Sequence, residues 1–155
     1  RRTVDVNLIG VFYACQEAGR VMIPRRSGKI VNFGSTAGIA GVPYMAHYTA
    51  AKHGVVGLTK SLAVEWGKYN VNVNCICPGA TETPMFVNAL SPAAREQRMR
   101  RIPLQRFGKT SDQANTALFL ASSDSDYLTG SIVCVDGGAA AISPATATEV
   151  LLGQV

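Results

Sequence analysis

The chain has 155 residues, 47% of them hydrophobic and 16% charged, with a formal net charge of +5 at neutral pH. That mixture is enough to bury the core of one globular domain and excludes a disordered polypeptide, while no apolar run approaches the roughly 20 residues a bilayer demands, so no membrane is expected as a partner. The positive balance is concentrated in Arg95, Arg98, Arg100, Arg101 and Arg106, which lack interleaved aromatics and any nucleic-acid motif. They are read first as a solvated helix face, then as a docking site for an acidic substrate or carrier, and not as a nucleic-acid site.

Apolar residues recur at 4, 8, 11, 12, 15, 18 and 22. This is a helical stripe, which Pro24 and the R-R-S-G turn should close. Lys29 to Gly34 is short, β-branched and bounded by glycine, so it reads as a strand. After a small-residue loop, a helix runs from about Tyr44 to Lys68; its Gly54 and Gly57 should permit close packing against another backbone. Val71 to Cys77 is a second strand, stopped by Pro78-Gly79. Residues 80–107 are irregular, with one or two short helices around 84–101. Ser111 to Ala121 is helical, with Thr110 or Ser111 as cap, and Ile132 to Val135 is a third strand. Residues 139–155 form a small-residue tail. Alternating helices and strands predict an α/β fold with a parallel sheet.

Cys15, Cys75, Cys77 and Cys134 have no spacing that completes a metal site, so no metal is expected. All four are read as small buried hydrophobes in a reducing compartment. The two N-terminal arginines are followed by an amphipathic pattern, not a signal-peptide core, and the chain does not open on methionine, as a processed product or fragment would not. A cytoplasmic location is the default.

The chemistry concentrates in H-Y-T-A-A-K-H-G. Tyr48 and Lys52 are four residues apart and share one helix face. A phenol of pKa about 10 exchanges protons poorly at neutral pH, and a neighbouring ammonium lowers that pKa by favouring the phenolate. Ser35, thirteen residues before Tyr48, offers a hydroxyl to the oxygen of an alcohol or carbonyl. His47 and His53 flank the pair and are read as packing or surface residues.

Together, V-N-L-x-G-V-F at Asn7, G-K-I-V-N-F-G-S-T-A-G at Ser35, Y-T-A-A-K at Tyr48 and Lys52, N-V-N-C-I-C-P-G-A-T-E-T-P-M at 72–85 and Y-L-T-G-S-I-V-C-V-D-G-G at 127–138 resemble the short-chain dehydrogenase/reductase family. The resemblance covers residues 4–138 and implies the C-terminal part of a Rossmann-type doubly wound parallel sheet, with three strands and flanking helices. It also implies NAD or NADP as cofactor and hydride transfer between a secondary alcohol and a ketone. Tyr48 would be the general acid/base. Lys52 would support it and hold the nicotinamide ribose, Ser35 would position the reacting oxygen, and Asn7 would help anchor a relay water. Pro78, Gly79, Thr81 and Thr83 would line the cofactor; Thr81 stands where the family more often has an aliphatic residue, which leaves its backbone rather than its side chain as the expected contact. Residues 84–107 would form the substrate lid.

The family's glycine-rich phosphate loop and the helix that follows it are not in this sequence. The 155 residues alone are therefore expected to be marginally stable and to bind cofactor weakly, and the choice between NAD and NADP is not readable. The nearest flavours of the resemblance are sugar or polyol dehydrogenases and β-ketoacyl carrier-protein reductases, acting on small molecules. The helices at 4–22 and 44–68 resemble the pair that forms the family's dimer interface, implying a homo-oligomer, a dimer or tetramer, for the full-length protein. The alternative is a non-catalytic fragment that acts as an interaction module through those helices.

Overall fold

Strand β1 (Gly28–Phe33), β2 (Val71–Pro78) and β3 (Ile132–Val135) pair in parallel in the order β1-β2-β3 in the computed structural model, which describes residues 1–142. Parallel neighbours need long crossovers, and helices supply them. The first helix is α-helical over Arg2–Val4 (α1), π-helical over Asp5–Ile9 and α-helical again over Gly10–Arg25 (α2). α3 spans Ala46–Trp66, α4 Pro84–Asn88, α5 Pro92–Met99 and α6 Thr110–Ala121. The expected α/β fold with three parallel strands is the one found.

The pleat of β2 organises both layers. Alternate residues point to opposite faces, so Val71, Val73, Cys75 and Cys77 share one face and are all buried with side chains of α2 and α3. The other face carries Asn72, Asn74 and Ile76. Asn72 donates to the carbonyls of Asp126 and Leu128, and Asn74 donates to Leu128 at 2.8 Å and accepts from the Ser131 N–H at 3.0 Å. These amides hold the segment that feeds β3, and Leu120 of α6 is fully buried. On β1, Asn32 donates to Thr59 of α3 at 3.0 Å and accepts a weak bond from Cys15, so this buried amide has partners on both sides, as burial requires.

Several expectations are corrected. The R-R-S-G turn closes α2 as expected, at Arg26, which is left-handed at φ 51°, but Pro24 does not, since the helix continues past it to Arg25. A proline in the last turn forfeits one helical hydrogen bond without breaking the turn. α3 begins at Ala46, since Tyr44 has φ 62°. Neither Thr110 nor Ser111 caps α6: the Asp112 carboxylate accepts from the Lys109 N–H at 2.8 Å and pairs with Arg106. Those bonds hold the Asp112 carboxyl below its ordinary range, the Arg106 hydrogen bond being the largest cause. Gly57 faces open space, whereas a Cβ at Gly54 would lie 2.8 Å from the Leu8 side chain, so only Gly54 serves the close helix contact.

Cys134 is exposed, unlike the other three cysteines: β3 is a sheet edge, and α3 packs over β2 and β1 instead. Within the expected tail, Ala139–Ala141 forms a single 3-10 turn, and residues 143–155 lie outside the described part. Among the described residues no helix is long and apolar enough to cross a membrane.

Candidate active site

In parallel sheets the chain leaves every strand at the same edge, so residues just past the strand ends meet there. Ser35 follows β1 by two positions. Its backbone is extended, and its hydroxyl accepts from the Ala37 N–H at 3.1 Å, capping the turn Thr36–Gly38. That turn docks on α3 closely enough that a Cβ on Gly38 would lie 2.8 Å from the Lys52 carbonyl oxygen.

Tyr48 lies half-buried in the first turn of α3, and Lys52 follows one turn later, only 9% exposed. The Lys52 ammonium lies 5.6 Å from the centre of the Tyr48 ring and donates to the Phe33 carbonyl at 2.8 Å. Phe33 is two residues before Ser35, so the contacts of Lys52 with Phe33 and Gly38 bracket the serine. Burial pushes the Lys52 pKa below its ordinary value, and the nearby thiols of Cys75 and Cys77 oppose that shift. Among the described residues no carboxylate pairs with this cation. An ammonium held in a buried position without a carboxylate partner is a costly arrangement, and such groups concentrate where chemistry is done.

The other expected residues are placed less uniformly. Asn7 falls inside the π-helical segment, whose Leu8 packs on Gly54 of α3, and its amide donates to the Thr3 carbonyl at 3.0 Å. Pro78 ends β2, and Gly79 follows it, packed so closely on Asp136 that an added Cβ would lie 2.6 Å from that side chain. The Thr81 hydroxyl donates to the Gly79 carbonyl at 3.2 Å and accepts from the Gln113 amide at 3.3 Å. Thr83 caps α4 by accepting from the Phe86 N–H at 3.3 Å. Both threonine hydroxyls thus shape the loop after β2. His47 and His53 are exposed, as expected. Gln113 went unforeseen: it is buried, donates also to the Val135 carbonyl at 3.0 Å and leaves its own buried carbonyl oxygen without a partner among the described residues.

Segment 84–107 is tied down by side chains that sequence spacing could not pair. Arg95 forms an ion pair with Glu82 and stacks over Phe107, Phe107 meets Phe86 edge-on at 5.1 Å, and Arg98 lies over Phe86. Arg100 pairs with Glu96 and Arg106 with Asp112. Four of the five clustered arginines therefore have intramolecular partners, in place of the simple solvated face expected.

The site has a half-buried phenol, a buried ammonium beside its ring and a hydroxyl just past the end of β1. This donor set fits the nicotinamide half of a dinucleotide at the exit edge of the sheet. No glycine-rich phosphate loop is present among the 155 residues.

Residues 1–140 match the family profile described as enoyl-(acyl carrier protein) reductase. The chain is 47% identical over 135 residues to the 3-oxoacyl-(acyl-carrier-protein) reductase FabG of Thermotoga maritima, covering 87% of this chain and 54% of that protein. Among solved structures, levodione reductase superposes with a TM-score of 0.87 at 38% identity, over 90% of this chain and 57% of that one. A protein described as a 2-deoxy-D-gluconate 3-dehydrogenase from Agrobacterium tumefaciens, with bound NADP, superposes with a TM-score of 0.85 at 42% identity, over 89% and 57%. The chain spans about half the length of the curated relatives it matches.

Proposed function

Because the chain belongs to the short-chain dehydrogenase/reductase family, we propose that it carries the proton-transfer part of the active site of an NAD(P)-dependent oxidoreductase interconverting a secondary alcohol and a ketone. The observation that carries this reading is the buried Lys52 ammonium beside the Tyr48 ring, without a carboxylate partner among the described residues. Lys52, Tyr48, Pro78, Gly79 and the backbone of Thr81 and Thr83 would hold the nicotinamide end of NAD or NADP, which supplies or accepts the hydride. Tyr48 gives its hydroxyl proton to the carbonyl oxygen in reduction and recovers it in oxidation. Lys52 offsets the negative charge left on the Tyr48 oxygen, and the Phe33 carbonyl keeps the ammonium from swinging away. Ser35 donates to the reacting oxygen and fixes its distance from Tyr48. Asn7 organises the π-helical turn facing α3, where a relay water would return the proton.

The substrate class is a ketone or secondary alcohol of the kind that carrier-bound 3-oxoacyl chains and sugar acids present, since the relatives' names span both. Incubating the native protein with NADH or NADPH and a panel of 3-oxoacyl thioesters, keto-sugar acids and simple ketones tests this. Cofactor oxidation with at least one ketone is expected, and none across the panel with a folded protein would overturn the reading.

A second reading is favoured by the apolar surface of the first helix and α3. Val6, Phe12, Tyr13, Val21 and Val64 are exposed there, and grouped apolar side chains in water mark interaction surfaces. Pairing of two subunits through these helices would cover it, giving a homo-oligomer of the full-length protein, or a module if the 155 residues act without chemistry. Light scattering of the native protein would report a dimer or tetramer; a monomer at micromolar concentration contradicts it.

A further inference from the structure

Three of the four thiols share one face of the sheet at its exit edge. Cys75 and Cys77 are two residues apart on β2, and Cys77 is in register with Cys134 of β3. Residues paired across parallel strands point the same way, so Cys134 stands beside Cys77 on the same face of the sheet, beyond the part that α3 covers. Both β2 thiols are fully buried, and their sulfurs converge on Gly34, where an added Cβ would lie 2.9 Å from each. Cys134 is exposed and lines an open cleft of about 520 Å³ with Leu104, Arg106 and Asp136. The mechanism above uses none of these sulfurs.

We propose that Cys77 and Cys134 are a thiol–disulfide couple, a redox-modification site in which the exposed thiol gives a small hydroperoxide access to the buried one. Neighbouring strands lie about 4.7–4.9 Å apart, inside the Cα separation of about 4.4–6.8 Å that a disulfide spans. Cys75 and Cys77, two residues along one strand, are about 6.6 Å apart, at the far limit of that window; their sulfurs are hydrogen-bonded to each other and lean toward Gly34 on the β1 side, so the Cys77 side chain turns about its Cα–Cβ bond to reach Cys134. In the first step the Cys134 sulfur attacks a peroxide oxygen: the S–O bond forms, the O–O bond breaks, and the leaving oxygen takes a proton and departs as water. The Cys77 thiolate then attacks the sulfenic sulfur, forming the S–S bond and expelling hydroxide, which departs as a second water. Two thiols are oxidised by two electrons in all, and one hydrogen peroxide is reduced to two waters.

The environment suits this division of labour. A hydrogen bond from Cys75, a backbone N–H of Ser35 and the Lys52 cation bring the Cys77 thiol down to about 7, against burial and Asp136. Burial, then Cys77 and Asp136, push the Cys134 thiol up, which slows the first step and reserves it for strongly oxidising conditions. Oxidation would lock β2 to β3 immediately before Pro78-Gly79 and remove a thiolate that holds the Lys52 charge. That consequence rests on the function proposed above; the disulfide itself does not.

The native protein is treated with hydrogen peroxide, alkylated without reductant, digested and mapped by mass. A linked pair of peptides containing Cys77 and Cys134, lighter by two hydrogens, is expected; dithiothreitol should release it, Cys75→Ser should keep it and Cys134→Ser should abolish it. A Cys75–Cys77 bridge, a Cys134 bridge between two chains, or Cys134 driven to sulfinic acid with Cys77 free would each overturn the couple. Turnover falling on oxidation in the wild type but not in Cys134→Ser supports its placement beside the active site, and equal turnover in both overturns that link. The mass map needs no activity, so it stands or fails apart from the proposed reaction.

Discussion

Lys52 and the arginines of segment 95–106 carry the same charge in opposite circumstances. Arg95, Arg98, Arg100 and Arg106 are partly or largely exposed, and each has a carboxylate or an aromatic face against it. Lys52 is buried, donates to one backbone carbonyl and has no carboxylate partner among the described residues. A cation paired with a carboxylate or an aromatic face holds structure; a buried one answered only by a carbonyl and nearby thiols costs stability and is kept for something else. Charge density along the chain pointed to the arginines, and burial points to the lysine.

The largest expected effect separates the two groups by activity. In the native protein Lys52→Met should lower kcat by about 10²–10⁴-fold, the usual contribution of positioned acid–base chemistry. Arg100→Ala, measured beside it, should leave kcat within a few-fold. Equal losses in the two variants would erase the contrast.

Stability should run the other way. Because the folded-state pKa of Lys52 lies below its ordinary value, chiefly through burial, the unfolded chain binds the proton more tightly and stability rises with pH between the folded pKa and about 10.4. Lys52→Met removes that penalty, so its Tm should exceed the wild-type Tm at neutral pH. The gap should narrow as pH rises through the lowered Lys52 pKa. Calorimetry across that window showing a gap that widens with pH would contradict the assignment.

Removing an answered charge should cost a moderate amount. Arg95→Ala loses the ion pair with Glu82 and the contact with Phe107, about 1–2 kcal/mol together for a partly exposed pair and one cation–π contact. Hydrogen exchange should then quicken across 84–99 more than in β2; uniform quickening would mean that the stack does not act locally. Smallest of all, Glu96→Gln removes an exposed pair four residues from Arg100, worth about 0.3–0.5 kcal/mol, and the difference should vanish in molar salt.

How much of this was legible beforehand differs by kind of signal. The strands were readable because V-N-V-N-C-I-C and K-I-V-N-F-G are short, β-branched and bounded by turn residues, and the parallel sheet followed from helices alternating with them. That Lys52 lies against Tyr48 was legible because local spacing puts the two on one helix face; the part of Ser35 beside them comes from the motif and stands as a proposal. The π-helical turn around Asn7 was not, since a single i→i+5 turn has no residue signature of its own in the sequence. The capping of α6 by Asp112 was missed because a carboxylate three residues inside the helix outcompeted the hydroxyls nearer its start. Exposure of Cys134 depends on which strand ends at the sheet edge, and a four-residue strand has no pattern that says so. The Glu82–Arg95–Phe107–Phe86–Arg98 stack joins residues up to 25 positions apart in the chain, and only the folded loop brings them together.

The most direct test of the central claim is a paired measurement on Tyr48→Phe in the native protein: NAD(P)H affinity by fluorescence titration and turnover with the best ketone of the panel. Removing one hydroxyl leaves the ring beside Lys52 and the strand-end site intact, so affinity should stay within a few-fold while turnover falls by about 10²–10⁴-fold. Turnover within tenfold of wild type, with affinity unchanged, would mean that the proton passes through another group and that the buried lysine serves some other purpose.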